Sequence, residues 1–147
     1  MEQKIKIALI GMGNMGKNHY NAIMKTPEVE LVAIIDPVSP DATHKTVNDM
    51  LLEVNPDCAI VSSPTRTHLL SSGALIENGV HLLIEKPVVS NLHEAELVKK
   101  AQKRNSSRIA VGHVERFNPA IQALKKDLDV ESIIDCYSKR VGPYPIR

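Results

Sequence analysis

The hexapeptide Gly11-Met12-Gly13-Asn14-Met15-Gly16 constrains this chain more than any other stretch. It stops the apolar run of Ile5, Ile7, Ala8, Leu9 and Ile10, and a short apolar run ended by glycine reads as a buried strand entering a tight turn. Beyond it, Tyr20, Ile23 and Met24 fall at helical spacing within about 13–26, and Pro27 closes the segment because proline disfavours helix in the residue before it. Glu30 to Ile35 supplies a second buried strand (Leu31, Val32, Ala33, Ile34, Ile35), ending at Asp36-Pro37. The opening unit is therefore strand, helix, strand.

The same alternation continues. After the turn-rich Pro37, Ser39, Pro40 and Asp41, the pattern predicts a short helix over 47–54, a strand over 58–62, a helix over 67–78 stopped by Asn78-Gly79, and a strand over 80–84. Asn91 is placed to cap a further helix with Glu94 as its capping-box partner; Leu97, Val98 and Ala101 give that helix a buried face. A strand over 109–114, a helix over 118–127 and a strand over 132–141 follow. Continuous apolar strands joined by helical crossovers pair in parallel, with helices on both faces. The fold class is α/β, a doubly wound parallel sheet.

Composition excludes more than it proposes. At 147 residues the chain holds one domain with a real core and no second full domain. One Phe, three Tyr and no Trp make that core aliphatic. A formal charge of +1 with both signs interspersed gives no field for nucleic acid or a membrane surface. Cys58 and Cys136 form no C-x-x-C pair, so neither a disulfide framework nor a metal site is indicated; two buried thiols in a reducing compartment is the favoured reading. No signal-like segment opens the chain and no run approaches the roughly 18 apolar residues of a membrane span, so a cytoplasmic protein is expected.

The spacing of the hexapeptide is G-x-G-x-x-G. In a strand–turn–helix setting its first glycine permits the turn, its second lets backbone N–H groups, including those of Asn14 and Met15, approach a pyrophosphate, and its third brings helix and strand together. Asp36 stands twenty residues after Gly16, where a carboxylate accepts hydrogen bonds from ribose hydroxyls. The competing explanation is a glycine turn kept for packing and an aspartate that merely starts a turn; the two features together favour a dinucleotide. Asp36 would repel a 2′-phosphate and no Arg follows it directly, so NAD is favoured over NADP, although His44 and Lys45 lie near in sequence.

Two further clusters fall at predicted strand ends, where open α/β sheets place ligands. Glu85-Lys86-Pro87 follows the strand over 80–84, and Ser62-Ser63-Pro64-Thr65-Arg66-Thr67-His68 joins a strand to a helix. Taken alone, the first is as compatible with a solvated ion pair as with a site. Thr65 or Thr67 in the second reads equally well as a helix cap.

Together these residues resemble the glucose-fructose oxidoreductase and inositol dehydrogenase (Gfo/Idh/MocA) family in its amino-terminal domain. The resemblance runs from Lys4 to about Arg147, through Gly11 to Gly16, Asp36, Ser63-Pro64 with His68, and Glu85-Lys86-Pro87, the most specific motif. Gly112-His113-Val114-Glu115-Arg116-Phe117-Asn118-Pro119 and Arg140-Val141-Gly142-Pro143-Tyr144-Pro145 look most like the branch acting on nucleotide-linked amino sugars, similar to dehydrogenases of UDP-N-acetylglucosamine or its uronate at carbon 3. The resemblance implies hydride transfer between a sugar carbinol and NAD, with Lys86 beside the reacting carbon, Glu85 near the nicotinamide ribose, and Ser63, Pro64, Thr65, His68, Arg116 and Asn118 as further cofactor-side residues. His81 and His113 read as structural.

Two departures from the family pattern stand out. Only about twenty residues separate Asp36 from Asp57, a length a compact doubly wound unit is expected to tolerate poorly, with the adenine side of the pocket altered. The second domain that supplies most substrate contacts in the family has only its beginning here. The expected division is a dinucleotide-binding Rossmann domain over 1–118 and, over 119–147, a connecting helix and the first strand of the substrate domain. On this reading the chain binds NAD, takes a sugar or nucleotide-sugar only with the second domain, and turns over little alone. A sensor of NAD or NADH without catalysis, and a methyltransferase using S-adenosylmethionine, are the other readings. Lys86 separates the first from an enzyme, and the glycine spacing argues against the second. An uncovered strand over 132–141 would make self-association plausible.

Overall fold

In the computed structural model, residues 3–129, 131, 133–135, 137 and 139 are described. Five strands form one sheet: β1 (Ile5–Ile10), β2 (Val29–Ile35), β3 (Cys58–Val61), β4 (His81–Ile84) and β5 (Ile109–Val111). Their order is β2-β1-β3-β4-β5 and every pairing is parallel. The crossovers are α1 (Asn14–Ile23), α2 (Val47–Glu53), α3 (Thr65–Glu77) and α4 (Leu92–Asn105).

Side-chain alternation along the strands splits the core into two layers. Ala8, Ile10, Ala33, Ile35, Ala59, Val61, Leu82 and Ile84 face α2, α3 and α4, which contribute Met50, Leu75, Ile76 and Val98. Ile7, Leu9, Ile34 and Ile60 face the other way, against Met12 and Ile23 of the glycine turn and α1. The connection leaving β2 crosses to β3 on the far side of β1, so the winding reverses between β1 and β3. That reversal opens a crevice at the carboxyl ends of the strands, where such sheets bind ligands.

The segment between Asp36 and Asp57 fits this frame, contrary to the expectation from its length. Thr43 Oγ1 accepts from Ile34 N–H at 3.0 Å, His44 makes a single parallel bridge to Ile35, and Thr46 caps the seven-residue α2 by accepting from Asp49 N–H at 3.1 Å. One bridge and a two-turn helix do the work of a longer crossover. Caps explain other boundaries. Asn91 accepts from Glu94 N–H as the predicted cap, while the Glu94 carboxylate accepts from Ser90 N–H, one residue before the position a capping box uses, both at 2.9 Å. Gly79 at φ 74° ends α3 after Asn78. Neither Thr65 nor Thr67 caps α3; Pro64 holds that position without a side-chain bond, and the Thr67 hydroxyl instead donates to Pro64 C=O at 2.8 Å.

The described residues divide into two compact units, one ending at His113 and the other beginning at Val114. The second contains a short 3-10 turn (Val114–Phe117) and α5 (Pro119–Asp127). The strand expected over 132–141 falls largely outside the described residues; at 133–135, 137 and 139 none belongs to a strand. Cys58 is half-buried rather than buried; burial, and then the Asp57 carboxylate, push its thiol above the ordinary value. Cys136 and the stretch 140–147 lie outside the described residues.

Candidate functional site

One row of backbone hydrogen bonds carries the ladder past the strand ends. Gly11 N–H donates to Ile35 C=O, Ser62 to Ile10, Glu85 to Val61 and Gly112 to Ile84, all at 2.8–2.9 Å. Asp36, Gly11, Ser62, Glu85 and Gly112 therefore stand side by side along the carboxyl edge of the sheet. Sequence motifs scattered over a hundred residues meet on that edge.

The three glycines of the turn are required for different reasons. Gly11 has φ 93°, and a Cβ there would lie 2.6 Å from Ser63 N. At Gly16 a Cβ would lie 2.0 Å from Gly11 O, so only glycine lets α1 begin against the turn. Gly13 has no atom within 4 Å of such a Cβ and is exposed. Nothing in the described chain accounts for its missing side chain, and a ligand laid against the backbone does. The N–H groups of Asn14, Met15 and Gly16 open α1, so the dipole and unpaired donors of that terminus favour a negatively charged group there.

Beside this turn lies a cleft of about 850 Å³, within the range of small-molecule sites. Gly13, Asn14, Met15, Asp36, Ser63, Pro64 and Thr67 line it, together with Val38, Lys45, Thr46, Val47, Arg66, Leu70 and Ala74. The apolar wall suits a planar base, and the glycine turn suits a pyrophosphate. A dinucleotide fits both ends of the donor set.

Asp36 is more than a group waiting for ribose. Its Oδ2 accepts from Met12 N–H at 2.8 Å, and its Oδ1 accepts from Val38 and Ser39 N–H at 2.9 Å each. Burial pushes its pKa up, but these backbone donors, with the Lys45 charge behind them, hold it below the usual carboxylate value. The group stays ionised at neutral pH while welding the glycine turn to the loop after β2. An ionised carboxylate at that point accepts from a ribose hydroxyl and opposes a 2′-phosphate.

At the other end, Glu85 is 6% exposed. Its Oε1 lies 2.9 Å from His19 Nε2 and its Oε2 accepts from Lys86 N–H at 3.2 Å, while Lys86 is exposed. His68 is 1% exposed and lies beneath the rim. Its Nδ1 sits 3.1 Å from both Pro87 C=O and Val88 C=O, and its Nε2 sits 2.8 Å from Ser63 C=O. Glu85, Lys86, His68 and Thr65 do not line the cleft; Glu85 stands farther along the same sheet edge. Arg116 and Asn118 belong to the second unit, where Asn118 caps α5 by accepting from Ala120 N–H at 3.0 Å and the Gln122 amide donates to Arg116 C=O.

Residues 5–113 match the model of an oxidoreductase family with an NAD-binding Rossmann fold, Gfo/Idh/MocA. The chain is similar to the rhizopine catabolism protein MocA of Rhizobium meliloti, 25% identical over 134 residues covering 85% of this chain and 42% of that protein. It is also similar to UDP-N-acetylglucosamine 3-dehydrogenase of Acidithiobacillus ferrooxidans, 33% identical over 131 residues covering 83% and 41%. Among solved structures, the WlbA dehydrogenase of Bordetella pertussis in complex with NADH and UDP-GlcNAcA superposes with a TM-score of 0.79 at 28% identity, covering 85% of this chain and 39% of that one. The chain spans about two fifths of the length of these relatives. Among the described residues no helix is long and apolar enough to cross a membrane.

Proposed function

The chain belongs to the Gfo/Idh/MocA oxidoreductase family, with its NAD-binding Rossmann fold, and from that membership we propose that it is the cofactor-binding part of an enzyme that oxidises a sugar hydroxyl, the sugar being nucleotide-linked. The observation that carries this reading is the row of Asp36, Gly11, Ser62, Glu85 and Gly112 along one sheet edge. It sets a ribose acceptor at one end and the Glu85-Lys86 pair at the other. The likeness to a UDP-N-acetylglucosamine 3-dehydrogenase and to a dehydrogenase holding UDP-GlcNAcA supports the substrate class.

In this proposal residues 1–118 hold the cofactor and 119–147 begin the substrate-binding part; the compact units themselves divide earlier, between His113 and Val114. The α1 terminus and Gly13 seat the pyrophosphate, Asp36 accepts from the adenosine ribose, and Val38, Leu70 and Ala74 flank the base. Ser63 and Pro64 border the path toward Glu85, with Thr65 and His68 beneath them. Bound NAD supplies the hydride acceptor. Lys86 orients the substrate hydroxyl and assists its proton transfer, its cation lowering the cost of the developing alkoxide. Arg116 and Asn118 are proposed as cofactor-side residues on the family resemblance alone.

Hydride transfer needs the sugar held against the cofactor, and positioning of that kind is worth several kcal/mol of barrier. The residues present here are therefore expected to bind cofactor with little or no turnover. Mixing the chain with NAD and UDP-N-acetylglucosamine or its uronate, and following nicotinamide absorbance, tests this. Marginal reduction is the expected result, and ordinary steady-state turnover contradicts it.

A further inference from the structure

We infer that His19 is a positioning residue for the nicotinamide side of the site, acting through Glu85 to tie the helix that carries the glycine turn to the strand end that carries Lys86. The inference rests on the reading of Glu85-Lys86-Pro87 as the hydride-transfer loop.

The geometry around Glu85 is that of a built socket. Its carboxylate is buried, and a buried carboxylate is costly unless it is paired and hydrogen-bonded. Three elements converge to hold it. His19 reaches it from α1 across 66 residues of sequence, at 2.9 Å. The Lys86 N–H donates to it from the loop itself at 3.2 Å. On the remaining side Gly112 leaves it room, since a Cβ there would lie 2.9 Å from Oε1 and 3.1 Å from Oε2. A strand end that served packing alone would be filled more cheaply by an apolar residue.

His19 stands three residues after Gly16, one turn inside α1. The helix whose first N–H groups face the pyrophosphate thus also fixes the carboxylate next to Lys86. The other side of the same loop is pinned independently. Pro87 and Val88 present carbonyl oxygens to His68 Nδ1, and Ser63 presents one to Nε2; carbonyls only accept, so a bond at either nitrogen needs the N–H there. With α3 beside the loop at Pro87 and Val88 and the Glu85 backbone held by Val61 C=O, what His19 sets is the Glu85 carboxylate, which in turn accepts from Lys86 N–H. Cofactor seated at the glycine turn therefore meets Glu85 and Lys86 at a fixed offset.

Calorimetric titration of the chain with NAD and with ADP tests this, because ADP keeps the adenosine and pyrophosphate and lacks the nicotinamide and its ribose. His19→Leu is expected to lower NAD affinity relative to ADP by about tenfold, the worth of one charge-assisted hydrogen bond. ADP affinity itself stays within about twofold, which also reports an intact fold. His19→Gln, whose side-chain amide still donates to Glu85, restores the wild-type ratio. Gly112→Ala disturbs the same carboxylate without touching His19, and because the crowded atom is the far end of a side chain the fold accommodates it; the same selective loss is expected. His19→Leu and Gly112→Ala proteins that weaken both ligands equally, or neither, overturn the inference while leaving the cofactor site standing. A wild type that does not distinguish NAD from ADP overturns the reading of the loop, and this inference with it.

Discussion

The two ends of the site along the carboxyl sheet edge are held by different physics. At the adenosine and pyrophosphate end the geometry is made by backbone: Gly11 and Gly16 allow main chain to touch main chain, and Asp36 gathers the N–H groups of Met12, Val38 and Ser39. At the hydride end it is made by side chains reaching over long sequence distances, His19 to Glu85 and His68 to Pro87 and Val88. The difference shows where each end is vulnerable. A backbone-built site fails when a Cβ is added, and a side-chain-built site fails when a donor is removed.

The sharpest way to break the first end is Gly16→Ala. Its Cβ would fall 2.0 Å from a carbonyl oxygen of the turn, and neither partner is a flexible side chain. A loss of about 3 kcal/mol or more is expected, read as a fall in the denaturation midpoint together with loss of NAD binding. The matching blow to the second end is His68→Ala. It leaves a void and removes the ring nitrogens that face the carbonyls of Pro87, Val88 and Ser63, at a cost of about 2–3 kcal/mol by urea titration. The comparison predicts that ADP still binds His68→Ala but not Gly16→Ala.

A smaller effect separates the ends by pH. The Asp36 carboxyl is held below its ordinary value in the fold, whereas in the unfolded chain it titrates near 3.9. Its contribution to stability is therefore present above about pH 4 and is lost as the pH falls through the lower folded value. Acid titration of wild type beside Asp36→Asn is expected to show this component only in the former. Smallest and outside both ends is Asn91→Ala, which removes the α4 cap and is expected to cost about 1 kcal/mol with no change in NAD affinity.

The same contrast governs what the sequence discloses. The glycine turn, Asp36, the parallel strands and the Asn91 cap are legible because each is a local pattern: residue types at fixed offsets that a strand, turn or cap demands. Glu85-Lys86-Pro87 is visible as a string, but its partner is not, since nothing near His19 in sequence marks it as the residue that meets a carboxylate 66 positions on. His68 is legible as a polar residue at a helix start and not as a buried brace, because burial there depends on how α3 lies against the loop after β4. The stretch from Asp36 to Asp57 misled for a related reason. Length alone does not register that one bridge at His44 and a cap at Thr46 shorten a crossover. Val38 and Leu70 join the cleft without any motif to announce them.

The account rests on Asp36 and the glycine turn forming one NAD site within this chain, and calorimetric titration of NAD into wild type and Asp36→Ala tests that most directly. The prediction is one-to-one binding to wild type and affinity weaker by about tenfold or more in the variant, the worth of a charged acceptor and the loop it organises. No binding by wild type, or an unchanged constant in Asp36→Ala, would contradict it.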